Sequence, residues 1–253
     1  MPRRNSYLDT SPQAQPWAPI GDGSVAAGLA HREAMIETAE QLRVEQWRKF
    51  PLQAVRAATA ERSAAAAELA ALAARSPAEV PVDRPAALRQ RIKQLDAMLE
   101  AADRRLRRID VTVLKALLSF LDFRTGRLMP AIATIADRAG CHANTVKAAL
   151  ARLKSNGFID WVRRTIRTGN EGEFAPQLEQ TSNGYFFDNR RRMARGVWSR
   201  FLQILTAKMR RIGRMSHGIA PPPQPDPDTP PAPGSMAEAI ASLGAALLAN
   251  ART

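Results

Sequence analysis

A change of hydrophobic period at Asn156-Gly157 constrains this chain more than any other feature. Before it, Val146, Leu150 and Leu153 recur at spacings of four and three, as one face of a helix requires. After it, Phe158-Ile159-Asp160-Trp161-Val162 reads as a strand, continued by Arg163-Arg164-Thr165-Ile166-Arg167. Glycine in Asn156-Gly157 suits the left-handed position past a helix end. Thr168-Gly169-Asn170-Glu171-Gly172-Glu173 is a turn-rich tip, and Gln180 to Phe187 is the expected return strand. A helix therefore runs directly into a two-stranded ribbon.

Two more helices precede it. Asp110 is a good N-cap for a helix carrying Val113, Leu114, Leu117, Leu118 and Leu121. Thr125-Gly126 ends that helix, and Arg127-Leu128-Met129 has the makings of a short strand. Pro130 suits the first turn of the next helix, which turns Ile132, Ile135 and Ala136 inward and stops at Gly140. His142-Ala143-Asn144-Thr145 opens the third. Helix, short strand, helix, turn, helix and two-stranded wing is the order of a winged helix-turn-helix. The expected fold class is mainly α, with this domain and its small β wing preceded by a helical hairpin and followed by a basic helix and a Pro-rich tail.

The run Ile132-Ala133-Thr134-Ile135-Ala136-Asp137-Arg138-Ala139-Gly140-Cys141 continues through Asn144-Thr145-Val146 and Leu153-Lys154-Ser155-Asn156-Gly157-Phe158-Ile159. Together these segments resemble the winged helix of plasmid and phage replication initiator proteins. Gln180-Thr181-Ser182-Asn183-Gly184-Tyr185 is similar to the Asn-rich return strand those proteins often carry after the wing. The resemblance covers about a third of the chain and implies binding of double-stranded DNA. Transcription regulators share the same core, so the process served stays open.

The second helix of such a motif lies in the major groove with its N-terminal residues at base edges. Here those residues are His142, Asn144, Thr145 and Lys147. Asn pairs bidentately with adenine, Thr touches a thymine methyl, and Lys reaches guanine or a phosphate. Thr134 has a hydroxyl suited to a phosphate, and Arg152 and Lys154, late on the recognition helix, suit the backbone better than bases. In the wing, Arg163, Arg164 and Arg167 alternate with apolar positions and are expected on the backbone or in the minor groove. Blander roles compete: Asn144 as a helix cap, His142 as a satisfied surface histidine, the wing arginines as a solvated face, and Cys141 as a small buried residue of the turn.

Charge supports the same partner. From Ala101 to Met215 there are 23 Lys+Arg against 9 Asp+Glu, a net of +14, while the other 138 residues hold 14 against 15. One contiguous segment carries the entire excess, which points to a polyanion, with nucleic acid ahead of an anionic membrane surface. A single cysteine in 253 residues excludes a disulfide framework and fits a reducing, cytoplasmic compartment. No run approaches 18 apolar residues, so no membrane span is expected.

The flanks read as accessories. Residues 1–28, rich in Pro, Gly and Ser, look like a mobile, disordered arm. Within 29–108, a helix from His31 to Phe50 ends at Pro51 and an alanine-rich helix runs from Leu52 to Ala74. A three-proline loop follows, and then Leu88, Ile92, Leu95, Leu99, Ala102, Leu106 and Ile109 form a heptad seam over 86–109. That seam either dimerises the protein or packs on the alanine-rich helix within one chain. The winged domain spans 109–188, and 189–218 forms a basic amphipathic helix with Val197, Trp198, Phe201, Leu202, Leu205, Met209 and Ile212 on one face. Such a helix can lie on membranes, but packing on the winged domain beside DNA is preferred. Residues 219–234 are a Pro-rich linker, and 235–253 a short apolar helix that either docks on replication or transcription machinery or is a weakly ordered tail.

Catalytic patterns are missing. There is no G-x-x-x-x-G-K-[ST] phosphate loop. His31, His142 and His217 are too far apart for an H-x-x-x-H or H-x-H metal site, and Tyr7 and Tyr185 lack the partners of a nicking tyrosine. No enzyme, cofactor or metal is expected. The expectation is a sequence-specific DNA-binding protein of the replication-initiation type, with a transcription regulator and a membrane-docked scaffold as the alternatives.

Overall fold

The computed structural model describes residues 6–75, 81–170 and 177–218. The chain divides after Arg211 into two compact units, and of the second only 212–218 are described, the end of the last helix. The Pro-rich linker 219–234 and the apolar helix 235–253 lie outside the described residues. The protein is mainly helical with a small mixed sheet of four strands. Among the described residues no helix is long and apolar enough to cross a membrane.

The segment expected as a disordered arm is structured from residue 6 onward. Strand β1 (Ser6–Leu8) is followed by a 3₁₀ turn at Pro12–Ala14, and helix α1 (Val25–Lys49) starts where Ser24 Oγ accepts the Ala27 N–H at 3.1 Å. Ala14 and Ile20 are buried. Proline and glycine made this segment look structureless, yet its backbone groups are bonded to distant elements, such as Ile20 N–H to the Phe123 carbonyl at 3.0 Å.

Pro51 separates α1 from α2 (Leu52–Ala73), and α3 (Arg84–Asp103) runs back antiparallel to it. The seam packs inside this hairpin, with Leu88, Leu72 and Ala65 in one buried cluster backed by Leu69 and Ile92. Arg62–Asp96, Arg84–Glu68 and Arg91–Glu61 bridge its exposed flanks. Such exposed pairs contribute at most about 1 kcal/mol each, so apolar burial dominates.

The heptad helix is shorter than 86–109. It stops at Asp103 because the next residues are bonded elsewhere: Leu106 N–H donates to Gln46 Oε1 at 2.8 Å and its carbonyl accepts from Trp47 Nε1 at 2.8 Å. Arg105 lies 4.4 Å over the Trp47 ring and donates to the Phe50 carbonyl. Leu106 and Ile109 continue the spacing in sequence but pack in the main core, not on α2.

That core is built by α4 (Arg108–Leu118), α5 (Ile132–Ala139) and α6 (Ala143–Ser155). Val113, Leu114, Leu117, Leu118, Ile135, Val146 and Leu153 are fully buried, as their periodicity requires. Asp110 is not the cap of α4 but its third residue, accepting the Arg107 N–H at 2.8 Å. Arg127-Leu128-Met129 forms no strand; it meets the sheet through a backbone hydrogen bond, from Tyr185 N–H to the Leu128 carbonyl at 2.8 Å, and through Met129 Sδ, which accepts from Arg164 Nη1.

Strand β2 (Asp160–Arg167) is the centre of the sheet. Strands β3 (Leu178–Gln180) and β4 (Gly184–Phe186) pair antiparallel with its two ends, so the single expected return strand is interrupted at 181–183. β1 pairs parallel with it, Ser6 opposite Arg163 and Leu8 opposite Thr165. After α7 (Asn189–Arg192), α8 (Arg195–Gly218) buries Phe201 against the core, with Val197, Trp198, Ile204 and Leu205 beside it. It lies on α1, where Arg200 pairs with Glu45, and Lys208 with Glu33 and Glu37. Leu202 and Met209, expected on its packed face, are 40% exposed.

Candidate nucleic-acid interface

Helices α5 and α6 are joined by three residues, Gly140-Cys141-His142. Gly140 caps α5 in the left-handed region at φ 63°, and Cys141 N–H reaches back to the Ala136 carbonyl at 3.0 Å. Cys141 is half-buried and packs against the core. His142 is the N-cap of α6, its Nδ1 accepting the Asn144 N–H at 3.1 Å. This disposes of one competing role for Asn144, because the cap position belongs to its neighbour. The Asn144 amide group is left exposed in the first turn.

Burial along α6 separates two faces. Val146, Ala149, Leu150 and Leu153 face the core, while Asn144, Lys147, Ala148, Ala151 and Ser155 are exposed at helical spacing. Thr145 is half-buried beside them. The outward face combines an amide, an ammonium and two alanines, and α6 contains no acidic residue. Ala148 and Ala151 were not singled out from sequence, although their i+4 and i+7 spacing from Asn144 marks them. A narrow face of small side chains lets a helix backbone approach a groove closely. Thr134 is exposed on α5, next to exposed Ala133 and near Arg138, whose guanidinium lies 5.3 Å over the Phe120 ring.

Three of the expected DNA contacts have other partners. Arg152 is only 15% exposed and binds Asp110, itself fully buried, through Nε–Oδ2 at 2.7 Å and Nη2–Oδ1 at 2.6 Å. These bonds raise the guanidinium pKa above its ordinary value. Lys154 pairs with Asp160 at 2.5 Å and lies 4.4 Å over the Trp161 ring, tying the end of α6 to the start of β2. Arg192 takes the other Asp160 oxygen at 2.6 Å. Arg164 is buried beneath the N-terminal segment, with Nη1 3.1 Å from Met129 Sδ and the guanidinium 5.9 Å from the Trp17 ring centre. A buried carboxylate attracts whichever cation can reach it, and Asp110 and Asp160 lie in other elements, so spacing along the chain gave no warning.

On β2, Arg163 is half-buried at the edge that receives β1, and Arg167 is exposed at the strand's end. Thr134, His142, Asn144, Thr145 and Lys147 therefore lie around one turn and helix face, with Arg163 and Arg167 on the ribbon, whereas Arg152, Lys154 and Arg164 are engaged in contacts within the fold. Among the described residues no group of three His, Cys, Asp or Glu side chains is placed to hold a metal. No protein-family model, curated protein or solved structure matches this chain.

Proposed function

We propose that this protein is a non-enzymatic, sequence-specific binder of double-stranded DNA, of the plasmid or phage replication-initiation type. In this reading α4, α5 and α6 act as a winged helix-turn-helix, with β2 and its antiparallel partners as the wing. The observation that carries it is the outward face of α6: Asn144 and Lys147 exposed beside Ala148 and Ala151, with the N-cap supplied by His142. Asn144 reads an adenine edge, Lys147 a guanine or a phosphate, and Thr134 and Arg167 hold the sugar-phosphate backbone. Arg163 is the secondary wing contact. The working location is the cytoplasm, on the target DNA.

Removing Arg152, Lys154 and Arg164 from the contact set lowers the number of phosphates to be neutralised. With about two to four phosphates neutralised, chiefly by Lys147, Arg163 and Arg167, log affinity should fall with log salt at a slope of roughly −2 to −4. Fluorescence anisotropy on a random-sequence duplex, from low to physiological salt, tests this. Lys147→Ala or Arg167→Ala should reduce the slope by about one, whereas a flat salt response of the unaltered protein rejects the proposal.

A further inference from the structure

Between Trp198 and Met209 the charged residues of α8 are Arg200 and Lys208, and both are paired with α1, to Glu45 and to Glu33 and Glu37. The residues exposed over the same stretch are Ser199, Leu202, Gln203, Thr206, Ala207 and Met209, and none of them carries a charge. Arg195 is exposed before this face, and Arg210 and Arg211 after it. Leu202 and Met209, each 40% exposed, lie seven positions and so about two turns apart on one side of the helix. Beside Leu202 a cavity of about 330 Å³ opens between α8, the N-terminal segment and the end of β4. Trp198, Leu202 and Leu205 line it from α8, and Trp17 and Phe187 from the other elements. The aromatic rings are held in place: the Trp17 indole N–H donates to the Tyr185 carbonyl at 3.0 Å, and Trp198 stacks on Phe201 at 5.3 Å. Among the polar lining residues, Asp188 is paired with Arg192 at 3.7 Å, and the Asn189 amide donates to the Gly157 and Phe158 carbonyls at 2.8 and 2.9 Å. The wall that α8 presents is apolar.

We propose that this face docks a second copy of the chain, α8 against α8 antiparallel, with Met209 of each copy seated on the Trp198–Leu202 wall of the other. A two-fold contact must be self-complementary, so whatever residue i meets must meet residue i in return. Antiparallel pairing centred between Leu205 and Thr206 satisfies this, because it sets Leu202 opposite Met209 twice. Methionine is unbranched and flexible, and its sulfur packs favourably at the edge of an aromatic ring, which suits an irregular aromatic cavity. Charge selects the occupant. Two chains of net charge +13 repel over most of their surface, and this outer face opposes no charge to its own copy. A face of about three turns with one inserted side chain falls short of the roughly 1,000 Å² that a stable interface buries, so the dissociation constant is on the order of 10⁻⁴ M. At low micromolar concentration the chain is therefore a monomer. Two copies on neighbouring DNA sites reach the required concentration locally; that consequence rests on the DNA-binding reading, whereas the contact itself does not.

The test is sedimentation equilibrium of the full chain without DNA, from about 10 to about 500 µM, a range that brackets the expected constant. The average mass should rise from monomer toward dimer. Leu202→Glu and Met209→Lys, both at exposed positions, should each weaken association tenfold or more while the circular dichroism spectrum stays unchanged. An equimolar mixture of the two variants should associate more tightly than either alone. Antiparallel pairing sets the new carboxylate opposite the new ammonium on one side and keeps Leu202 opposite Met209 on the other. A mass that stays monomeric throughout the range overturns the proposal. So does association that both variants retain, which would place the contact elsewhere on the chain, and so does a mixture no tighter than its components.

Discussion

Arg152→Met should destabilise the protein without weakening its grip on DNA phosphates. The carboxylate of Asp110 is fully buried and receives three hydrogen bonds, from Arg152 Nε at 2.7 Å, Arg152 Nη2 at 2.6 Å and the Arg107 N–H at 2.8 Å. The substitution removes two of the three together with the compensating charge. Breaking a buried pair from one side costs about 3–5 kcal/mol, because the remaining ion stays in a poorly solvated place. For a domain of this size that corresponds to a fall in Tm of roughly 6–20 °C, at about 2–4 °C per kcal/mol. Methionine keeps most of the apolar stem volume, so packing loss stays small. Urea denaturation followed by circular dichroism gives the free energy, and the double variant Asp110→Asn with Arg152→Met should recover part of it. Anisotropy on random duplex DNA below the unfolding range should show an unchanged salt slope. A loss under about 1 kcal/mol, accompanied by a salt slope reduced by one, would mean that Arg152 serves DNA and that its bond to Asp110 is incidental.

Other expectations follow from single contacts. Gly157 sits at φ 79°, and an added Cβ would lie 2.4 Å from the Arg192 carbonyl carbon, so Gly157→Ala should cost roughly 2–4 kcal/mol in chemical denaturation; a cost below about 1 kcal/mol would show that the turn relaxes freely. Burial pushes His31 down to about 4 from its ordinary 6.5. The unfolded chain therefore binds the extra proton between these values, and stability falls as pH drops from about 6.5 toward 4, by an order of 2–3 kcal/mol. His31→Phe should remove that part of the pH dependence, and an unchanged profile would contradict the assignment. Leu95 is buried in the α2–α3 hairpin, and Leu95→Ala should cost about 2–4 kcal/mol while Tm stays independent of protein concentration. A Tm of the unaltered protein that rises with concentration would instead support dimerisation through the seam.

How much of this was legible in the sequence depended on how local the cause was. Helices α4 to α6 and their buried residues followed from periodicity, and Gly140 and Gly157 marked the helix ends that they occupy at φ 63° and 79°. Strand β1 was invisible, since three residues in a Pro- and Gly-rich segment pair with residues about 157 positions away, Ser6 with Arg163. The heptad spacing ran on through Leu106 and Ile109 because both are packed in a core, though a different one, and only the bonds of Gln46 and Trp47 to Leu106 reveal the break. Charges were the hardest to place. Arg152, Lys154 and Arg164 look like Lys147 and Arg167 in sequence, and only the buried positions of Asp110 and Asp160 and the N-terminal segment over Arg164 tell them apart.

Selection of bound duplexes from a random DNA library, run in parallel on the unaltered protein and on Asn144→Ala, tests the central claim most directly. Because His142 caps α6, removing the Asn144 amide should leave the helix and non-specific affinity intact. The unaltered protein should enrich a defined site containing an adenine whose preference the variant loses, at a cost of about 1–3 kcal/mol on that site. Failure of the unaltered protein to enrich any sequence, or recovery of the same site with the same preference by Asn144→Ala, would contradict the assignment of α6 as the reading helix.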